Sequence, residues 1–350
     1  MNLRLFAFLF FIALTAACNN STRQDPFSIS FTTKGELCIS GEKLADPGLI
    51  NITDKYLILG NNEGQPLIEV YDISTKELLN SFLYIGNGPS EVLTIGNIQL
   101  DIMGDNMYVS DLFKRNLFQY CISEIAKNEK ITPTVVFERG ENSPFLYDKM
   151  YVGKSHLIAE SRDPRGRIIL IDPQTREANY FLSYPDKKHI ETKIPLGDIA
   201  HARLYSSSMT INFSFDKVAL GTYHAGILDI CQIKNGEVIS EWSHTDFYPQ
   251  GVVAIPMGEE VVAALSQEAR SGYRFMCSSD KFVYALYSGE ISDGRTDLGC
   301  KEVRVVSWNG KETYKIILDH PIVRLAVDPN DKFIYAITPE MDILRFPIIK

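Results

Sequence analysis

The sequence predicts an all-β protein, a six-bladed β-propeller with four-stranded antiparallel blades whose ring is closed by an N-terminal strand. Three observations lead to this fold. A polar turn followed by a short apolar run occurs six times, a second apolar run follows each copy, and helical periodicity is nearly absent. One such unit cannot bury both of its faces alone, so repeated units pack face to face and close a ring. An open pair of β-sandwiches is the alternative.

The first pattern places Asp, or Gly in the third copy, before a run of aliphatic, β-branched and aromatic residues. Asp bonds back to its own backbone in tight turns, and the residues that follow suit a strand buried on both faces. The six copies occupy residues 54–59, 105–110, 153–159, 216–220, 280–286 and 331–337.

The second pattern is a strand that ends in a further turn. Asn-Gly pairs follow two of these runs, and Asn-Gly between strands is a strong hairpin signal. The runs occupy residues 68–72, 117–120, 168–172, 226–230, 303–308 and 343–346. Each unit therefore consists of a strand, turn, strand, loop, strand, turn and strand.

The two ends of the chain complement each other. The last unit reaches the C-terminus without an outer strand, while residues 27–40 have strand character before the first full unit. We expect this segment to complete the last blade, so that residues 27–350 form a single propeller domain. Brief helical patterns occur only over residues 122–130 and 259–270.

The first residues have the pattern of a targeting signal. Arg4 precedes an apolar run over residues 5–14, which is too short to span a bilayer, and small residues precede Cys18. This leader resembles that of bacterial lipoproteins, which implies a signal peptide over residues 1–17 and a lipid on Cys18. Residues 18–26 are polar and form a flexible tether. No acidic residue directly follows Cys18, which by resemblance implies an outer-membrane lipoprotein of the bacterial cell envelope. A plain secretory peptide is the alternative.

The amino-acid composition disfavours several classes of function and site. The net charge of −9 disfavours non-specific binding of nucleic acid. Five cysteines remain after Cys18, an odd number at wide spacing, which favours buried thiols over a disulfide framework. A bridge between Cys277 and Cys300 stays open. No C-x-x-C pair is present, so a structural zinc site is not expected.

Two segments carry a family resemblance. Residues 86–91 read Gly-Asn-Gly-Pro-Ser-Glu, residues 106–111 read Asn-Met-Tyr-Val-Ser-Asp, and residues 327–335 combine an Asp-Pro turn with an aromatic strand. These segments resemble the NHL-like and TolB-like six-bladed propellers. Together with the leader, the chain resembles six-bladed propeller lipoproteins of Bacteroides-type bacteria. The resemblance implies the fold and a location in the cell envelope, and it implies almost nothing about activity.

Signatures of catalysis are missing from the sequence. It contains neither G-x-S-x-G nor H-E-x-x-H, so we assign no catalytic and no metal-binding residue. Propeller ligands usually bind at one mouth of the channel, where the connections between units and the loops between second and third strands meet. The candidate ligand-binding residues in these loops are Asn87, Glu91, Asp111, Arg115, Glu160, Arg162, His201, Arg203, Tyr223 and His224. Arg270, Arg274 and Glu340 lie in loops of the same two types.

Each of these candidates also has a purely structural alternative. Glu91 and Asp111 suit turn capping, and Arg115 and Arg162 suit solvated or ion-paired positions. The two histidines could bind a metal, although a lone His usually does not.

The sequence leaves two functions open. The first is a lipid-anchored, monomeric binding module without a cofactor, whose partner is an envelope protein, peptide or glycan. The second is a metal-dependent enzyme similar to six-bladed lactonases or lyases, with Ca²⁺ or Zn²⁺ held in the central channel.

Overall fold

The computed structural model describes residues 25–88, 90–101, 104–127, 131–140, 147–291 and 298–349. These residues form strands and little helix. The strands are β1 (Ser30–Thr33), β2 (Glu36–Ile39), β3 (Pro47–Ile52), β4 (Tyr56–Asn61), β5 (Ile68–Asp72), β6 (Leu78–Phe82), β7 (Ile95–Leu100), β8 (Asn106–Asp111), β9 (Leu117–Cys121), β10 (Thr134–Phe137), β11 (Tyr147–Val152), β12 (Leu157–Ser161), β13 (Ile168–Ile171), β14 (Ala178–Phe181), β15 (Ser207–Ile211), β16 (Lys217–Thr222), β17 (Ile227–Lys234), β18 (Glu237–Thr245), β19 (Val252–Met257), β20 (Glu260–Leu265), β21 (Tyr273–Ser278), β22 (Phe282–Tyr287), β23 (Cys300–Ser307), β24 (Thr313–Ile322), β25 (Arg324–Val327), β26 (Phe333–Ile337) and β27 (Ile343–Pro347).

Within the described ranges the α-helices are α1 (Ile122–Ala126) and α2 (Asp198–Leu204), and short 3₁₀ turns cover Gly41–Lys43 and Lys187–His189. Neither helix is long and apolar enough to cross a membrane.

The described strands form six antiparallel blades, which confirms the predicted fold. Blades 1 to 4 are β3–β6, β7–β10, β11–β14 and β15–β18 in simple meander order. Blade 5 contains β21–β24, and blade 6 contains β25–β27 with β2 as its outermost strand. The innermost strands β3, β7, β11, β15, β21 and β25 contact their neighbours around the channel.

The N-terminal segment closes the ring in two places. As predicted, β2 pairs antiparallel with β27 and completes blade 6. In addition, β1 pairs parallel with β24 and adds a fifth strand to blade 5, which the sequence pattern did not indicate. Phe27, just before β1, is fully buried against Trp242 of blade 4.

In the turns before the first apolar runs, a polar residue ahead of the predicted Asp accepts the backbone N–H groups, and these residues are Thr53, Asp101, Asn212, Ser279 and Asp328. The predicted bonding by the Asp itself is therefore wrong there, whereas two turns after the second runs are closed by an Asp. Asp72 accepts from the backbone N–H groups of Ser74 and Thr75 at 2.8 and 2.9 Å, and Asp172 accepts from the two equivalent N–H groups. The residue four places after Asp72, Asp111 and Asp172 has a positive φ, and these residues are Lys76, Arg115 and Arg176 respectively. Apolar clusters then fill the space between blades, as with Tyr284 and Val305 of blade 5 against Ile334 of blade 6.

Two insertions extend the ring on one face. The connection from blade 3 to blade 4 carries α2, and the connection from blade 4 to blade 5 carries the hairpin β19–β20. A helix expected over residues 259–270 is therefore wrong, because the β-branched Val261 and Val262 follow a turn at Gly258, whose φ is +66°, and pair with β19. The helix expected over residues 122–130 is present as α1, and its last residues lie outside the described ranges.

Candidate functional site

Strand alternation puts all candidate loops on one side of the ring. Each innermost strand begins on the face where the loops between second and third strands, and the connections between blades, also lie. We call this the mouth face. The turns between first and second strands, and between third and fourth strands, lie on the opposite face.

The channel itself is narrow and held together by its own side chains. A cavity of about 100 Å³ lies inside it. Gln99 bonds both the N–H and the carbonyl of Val152, and the Tyr151 hydroxyl donates to the carbonyl of Met209 at 2.6 Å. Ligand pockets usually have volumes of about 300–1,000 Å³. Two spaces of that size lie on the mouth face.

The first such space is the mouth cavity, with a volume of about 350 Å³. Four blades or their connections supply its wall, which contains three cationic side chains, one imidazole and two aromatic rings. These residues are Lys149, Tyr223, His224, Arg274, Phe275 and Arg324. Among the described residues that line this cavity there is no Asp or Glu.

Phe275 lies between two of these cations. The Lys149 ammonium is 5.5 Å from the centroid of its ring, and the Arg324 guanidinium is 5.3 Å from it. Arg324 donates to the carbonyls of Gly48 and Val323, both at 2.8 Å. In the part of the chain that the structure describes, neither Lys149 nor Arg324 pairs with a carboxylate. The mouth thus presents positive charge in a protein whose net charge is −9.

Burial and mutual repulsion affect titration in the mouth cavity. Burial lowers the pKa of Arg324, and the charge of Arg274 lowers it further. Burial also lowers the pKa of His224, again with a contribution from Arg274. His224 is therefore neutral near pH 7, and its ring offers one donor and one acceptor.

The second space is larger, about 740 Å³, and lies between α2 and β20. We call it the helix–hairpin cleft. Its apolar walls include Ile199 and Leu204 from α2 and Val261, Ala263 and Leu265 from β20. Arg203 and His224 lie at the same cleft. His224 lines both spaces, so the cleft and the mouth cavity are adjacent.

The structure brings only part of the predicted set to these two spaces. Tyr223 and His224 line the mouth cavity, and Arg203 and His224 line the cleft. Arg162 lies nearby: burial lowers its pKa, and the charges of Arg203 and Arg115 lower it further.

Three predicted residues serve local structure. The Glu91 carboxylate accepts from the N–H of Gly88 at 2.7 Å, and Asp111 is buried and accepts from three backbone N–H groups. His201 is buried in α2 against Tyr184 and Tyr205. Asn87 is exposed in the connection between blades 1 and 2.

Glu160 lies beneath the mouth face rather than on it. It belongs to β12, is 3% exposed, and accepts from the N–H of Ser207 at 3.0 Å. Burial raises the pKa of Glu160 to about 8, although Lys149 and Arg167 oppose this shift. Next to it, Arg167 pairs with Asp229 at 2.6 Å, and both side chains are buried.

Sequence reasoning missed Lys149, Phe275 and Arg324. Their signal is a single cation or a large ring in an otherwise apolar innermost strand, as in the segment Ile322-Val323-Arg324-Leu325. Nowhere in the described ranges do three His, Cys, Asp or Glu side chains come together in a way that could hold a metal ion. The five described cysteines are free thiols, Cys277 and Cys300 included.

The fold and its mouth define the protein as a six-bladed β-propeller with a basic, ligand-sized depression on one face. The family model described as "TolB-like 6-blade propeller-like" matches residues 32–330, and the chain belongs to this family.

The comparison with one solved structure, a bacterial protein, agrees on the fold. A Bacteroides fragilis NCTC 9343 protein inferred to be exported is 13% identical, with a TM-score of 0.52 over 92% of this chain and 99% of that chain. The β-propeller domain of Cps50 (Swd1) from Myceliophthora thermophila is 10% identical, with a TM-score of 0.49 over 88% of this chain and 98% of that one. No curated protein matches the sequence.

Proposed function

We propose that this protein is a non-catalytic binding module of the bacterial cell envelope that holds an anionic group of a polymeric ligand in its mouth cavity. One observation carries the proposal. Lys149 and Arg324 flank Phe275 in a cavity of about 350 Å³ whose described lining contains no Asp or Glu. Charge-assisted hydrogen bonds to a carboxylate or phosphate are the strong interactions that such a pair supplies.

The envelope address and the lipid anchor belong to the same proposal. The leader supports them, and so does the inferred export of the Bacteroides fragilis protein that shares the fold. Cys18 itself lies outside the described residues. Asp25 and Pro26 lie beside the turn between β23 and β24, on the face opposite the mouth. A tether attached there leaves the mouth face free of the attachment point.

Binding of a fluorescein-labelled pool of Asp- and Glu-rich heptapeptides tests the proposal. The double variant Lys149→Ala with Arg324→Ala should bind about a hundredfold more weakly or worse, because two charge-assisted contacts of about 1.5–3 kcal/mol each are lost. The charge-matched control is Lys127→Ala with Lys311→Ala, two exposed lysines away from the mouth. Equal weakening in both double variants would show only a general charge effect and would refute the mouth as the binding site.

A further inference from the structure

The hairpin β19–β20 has an unusual edge. In the described part of the chain, these two strands pair only with each other. Antiparallel pairs alternate between hydrogen-bonded and non-bonded positions, and the bond from Ser266 N–H to the Gly251 carbonyl fixes which positions are bonded. The register then places Val261, Ala263 and Leu265 at non-bonded positions. Their backbone N–H and C=O groups point away from β19.

Those backbone groups point toward the helix–hairpin cleft. Residues 259–263 and Leu265 all line it. Successive side chains of a strand point to opposite faces, so a cavity that contacts consecutive residues meets the strand at its edge. The opposite wall is α2, with Ile199 46% exposed. The cleft has a volume of about 740 Å³ and follows β20 from Glu260 to Leu265. Beside it, Ala200 and Leu204 of α2 pack in the same apolar cluster as Val261 and Ala263, so an added strand would lie along the outer edge of β20, about 4.8 Å from it.

The two edges of the hairpin differ in how they are protected. Proteins usually protect an exposed edge with Pro, Lys or a bulge, because unpaired backbone groups attract other chains. In β19 the free edge carries Pro256, which has no N–H to offer. The free edge of β20 carries only Val, Ala and Leu. The unprotected edge is thus the one that faces the cleft.

We propose that β20 binds an extended polypeptide segment as a third strand, with a carboxylate of that segment reaching the mouth cavity. This deepens the proposed function and rests on it for the carboxylate. A row of alternating backbone donors and acceptors is matched by another peptide backbone and by neither a lipid nor a sugar ring. Leu265 is the end of β20 nearer the mouth, because the chain continues to Gly272, whose N–H bonds the carbonyl of Tyr223 at 2.7 Å.

Charge complementarity fixes the kind of segment. The Arg203 guanidinium lies at the cleft beside the mouth cavity, while Glu259 and Glu260 lie at the hairpin turn, at the other end of β20. Asp198, at the start of α2, adds a further negative charge to the cleft. A segment with a free C-terminal carboxylate and a Lys several residues earlier matches both ends. It would run parallel to β20 with small apolar side chains facing Ile199 and Leu204.

The test uses a synthetic heptapeptide pool in which Val and Thr alternate between an N-terminal Lys and a free C-terminal carboxylate. Saturating peptide should slow amide hydrogen exchange at Val261, Ala263 and Leu265 at least tenfold in the full protein. Ala263→Pro should abolish binding, because it removes a donor on the cleft edge. Ala254→Pro is the matched control: Ala254 faces Ala263 across the hairpin and packs on the same apolar cluster, but its N–H points to the other edge.

Each outcome of this test supports or refutes the addition of a peptide strand to β20. Equal binding by the two proline variants, or unchanged exchange at the three amides, would overturn strand addition. If the protein self-associates and Ala263→Pro abolishes that association, the added strand belongs to a second copy of this chain and not to a peptide ligand. The Lys149→Ala, Arg324→Ala variant separates the two proposals. If this variant binds the peptide with unchanged affinity and its β20 amides stay protected, the mouth cavity is not part of the binding site and strand addition stands. If this variant binds the peptide more weakly while Ala263→Pro binds it as the wild type does, strand addition is refuted and the mouth cavity stands as the binding site.

Discussion

The Gly41 backbone N–H donates to the Asp342 carboxylate at 2.7 Å across 301 residues of sequence. This bond joins the N-terminal segment to blade 6 just after β2. Two more contacts continue the connection: Thr33 donates to the carbonyl of Pro347, and the N–H of Gly35 donates to Asp319. Ring closure therefore depends on the segment that contains Phe27 and the residues from Thr33 to Gly41, and the free energy of unfolding should respond sharply to changes there.

Among substitutions in this closing segment, we expect one at Phe27 to lower the free energy of unfolding most. Its ring is fully buried, 6.4 Å from the Trp242 ring and 4.8 Å from the Arg304 guanidinium. Phe27→Ala should lower the free energy of unfolding by about 3–5 kcal/mol, the usual loss for a large-to-small change in a core. Urea unfolding followed by tryptophan fluorescence measures it. Ile29→Ala is the control, since Ile29 is 57% exposed in the same segment and should change stability little. Similar small losses in both variants would mean that the segment does not hold the ring closed.

The buried pair of Arg167 and Asp229 makes a second prediction. Arg167 donates to Asp229 at 2.6 Å and to the Thr222 hydroxyl at 3.1 Å, and the Ser243 hydroxyl also donates to Asp229. Asp229→Ala leaves a guanidinium buried without its counter-charge, so we expect a loss of about 3–5 kcal/mol. The double variant Arg167→Met with Asp229→Leu should recover most of that loss. Urea unfolding of the single and double variants checks this, and a double variant as unstable as Asp229→Ala would contradict it.

The blades could be predicted because every copy obeys the same local rule. A polar turn before an apolar run needs no distant contact to be recognised, although the side chain that closes it is a residue such as Thr53, Asn212 or Ser279 rather than the Asp that follows. The position of β2 followed from counting strands at the two ends. The parallel pairing of β1 could not be predicted, since it depends on a free edge of β24 that no local pattern reveals.

The site was harder to predict than the fold. Loop position alone identified Tyr223, His224 and Arg203, but it also placed Glu160 at the mouth. Glu160 is buried instead, because β12 extends to Ser161 and its pleat turns that carboxyl toward β15. Lys149 and Arg324 reach the mouth through strand register, which a one-dimensional pattern does not fix.

The leader makes a prediction about cellular address. Cys18→Ser should remove the lipid and move the protein from the membrane fraction to the soluble envelope fraction, because a thioether-linked lipid needs the cysteine sulfur. Fractionation with mass spectrometry of the N-terminal peptide measures this. Cys38→Ser is the control, as Cys38 is a free thiol in β2. An unlipidated wild-type peptide would show a plain secretory signal instead.

Glu160 makes the stability of the fold dependent on pH. Burial raises the pKa of this carboxyl from 4.5 to about 8 in the folded chain. Between these values the folded protein holds a proton that the unfolded chain has released, so the unfolding free energy must fall as pH rises. The slope attributable to this group approaches 1.4 kcal/mol per pH unit in the middle of that window. Below about pH 4.5 and above about pH 8 its contribution no longer changes.

Glu160→Gln isolates this effect. Gln keeps an oxygen that accepts from the N–H of Ser207 but has no proton to release. We expect the variant to equal the wild type near pH 5, to be more stable at pH 8, and to lose most of the downward slope between them. Urea unfolding at a series of pH values measures both proteins. The control is Glu241→Gln, a partly exposed carboxylate paired with Lys217, which should leave the slope in place. Parallel curves for Glu160→Gln and the wild type would show that Glu160 ionises normally in the fold and that water or a cation reaches it between blades 3 and 4.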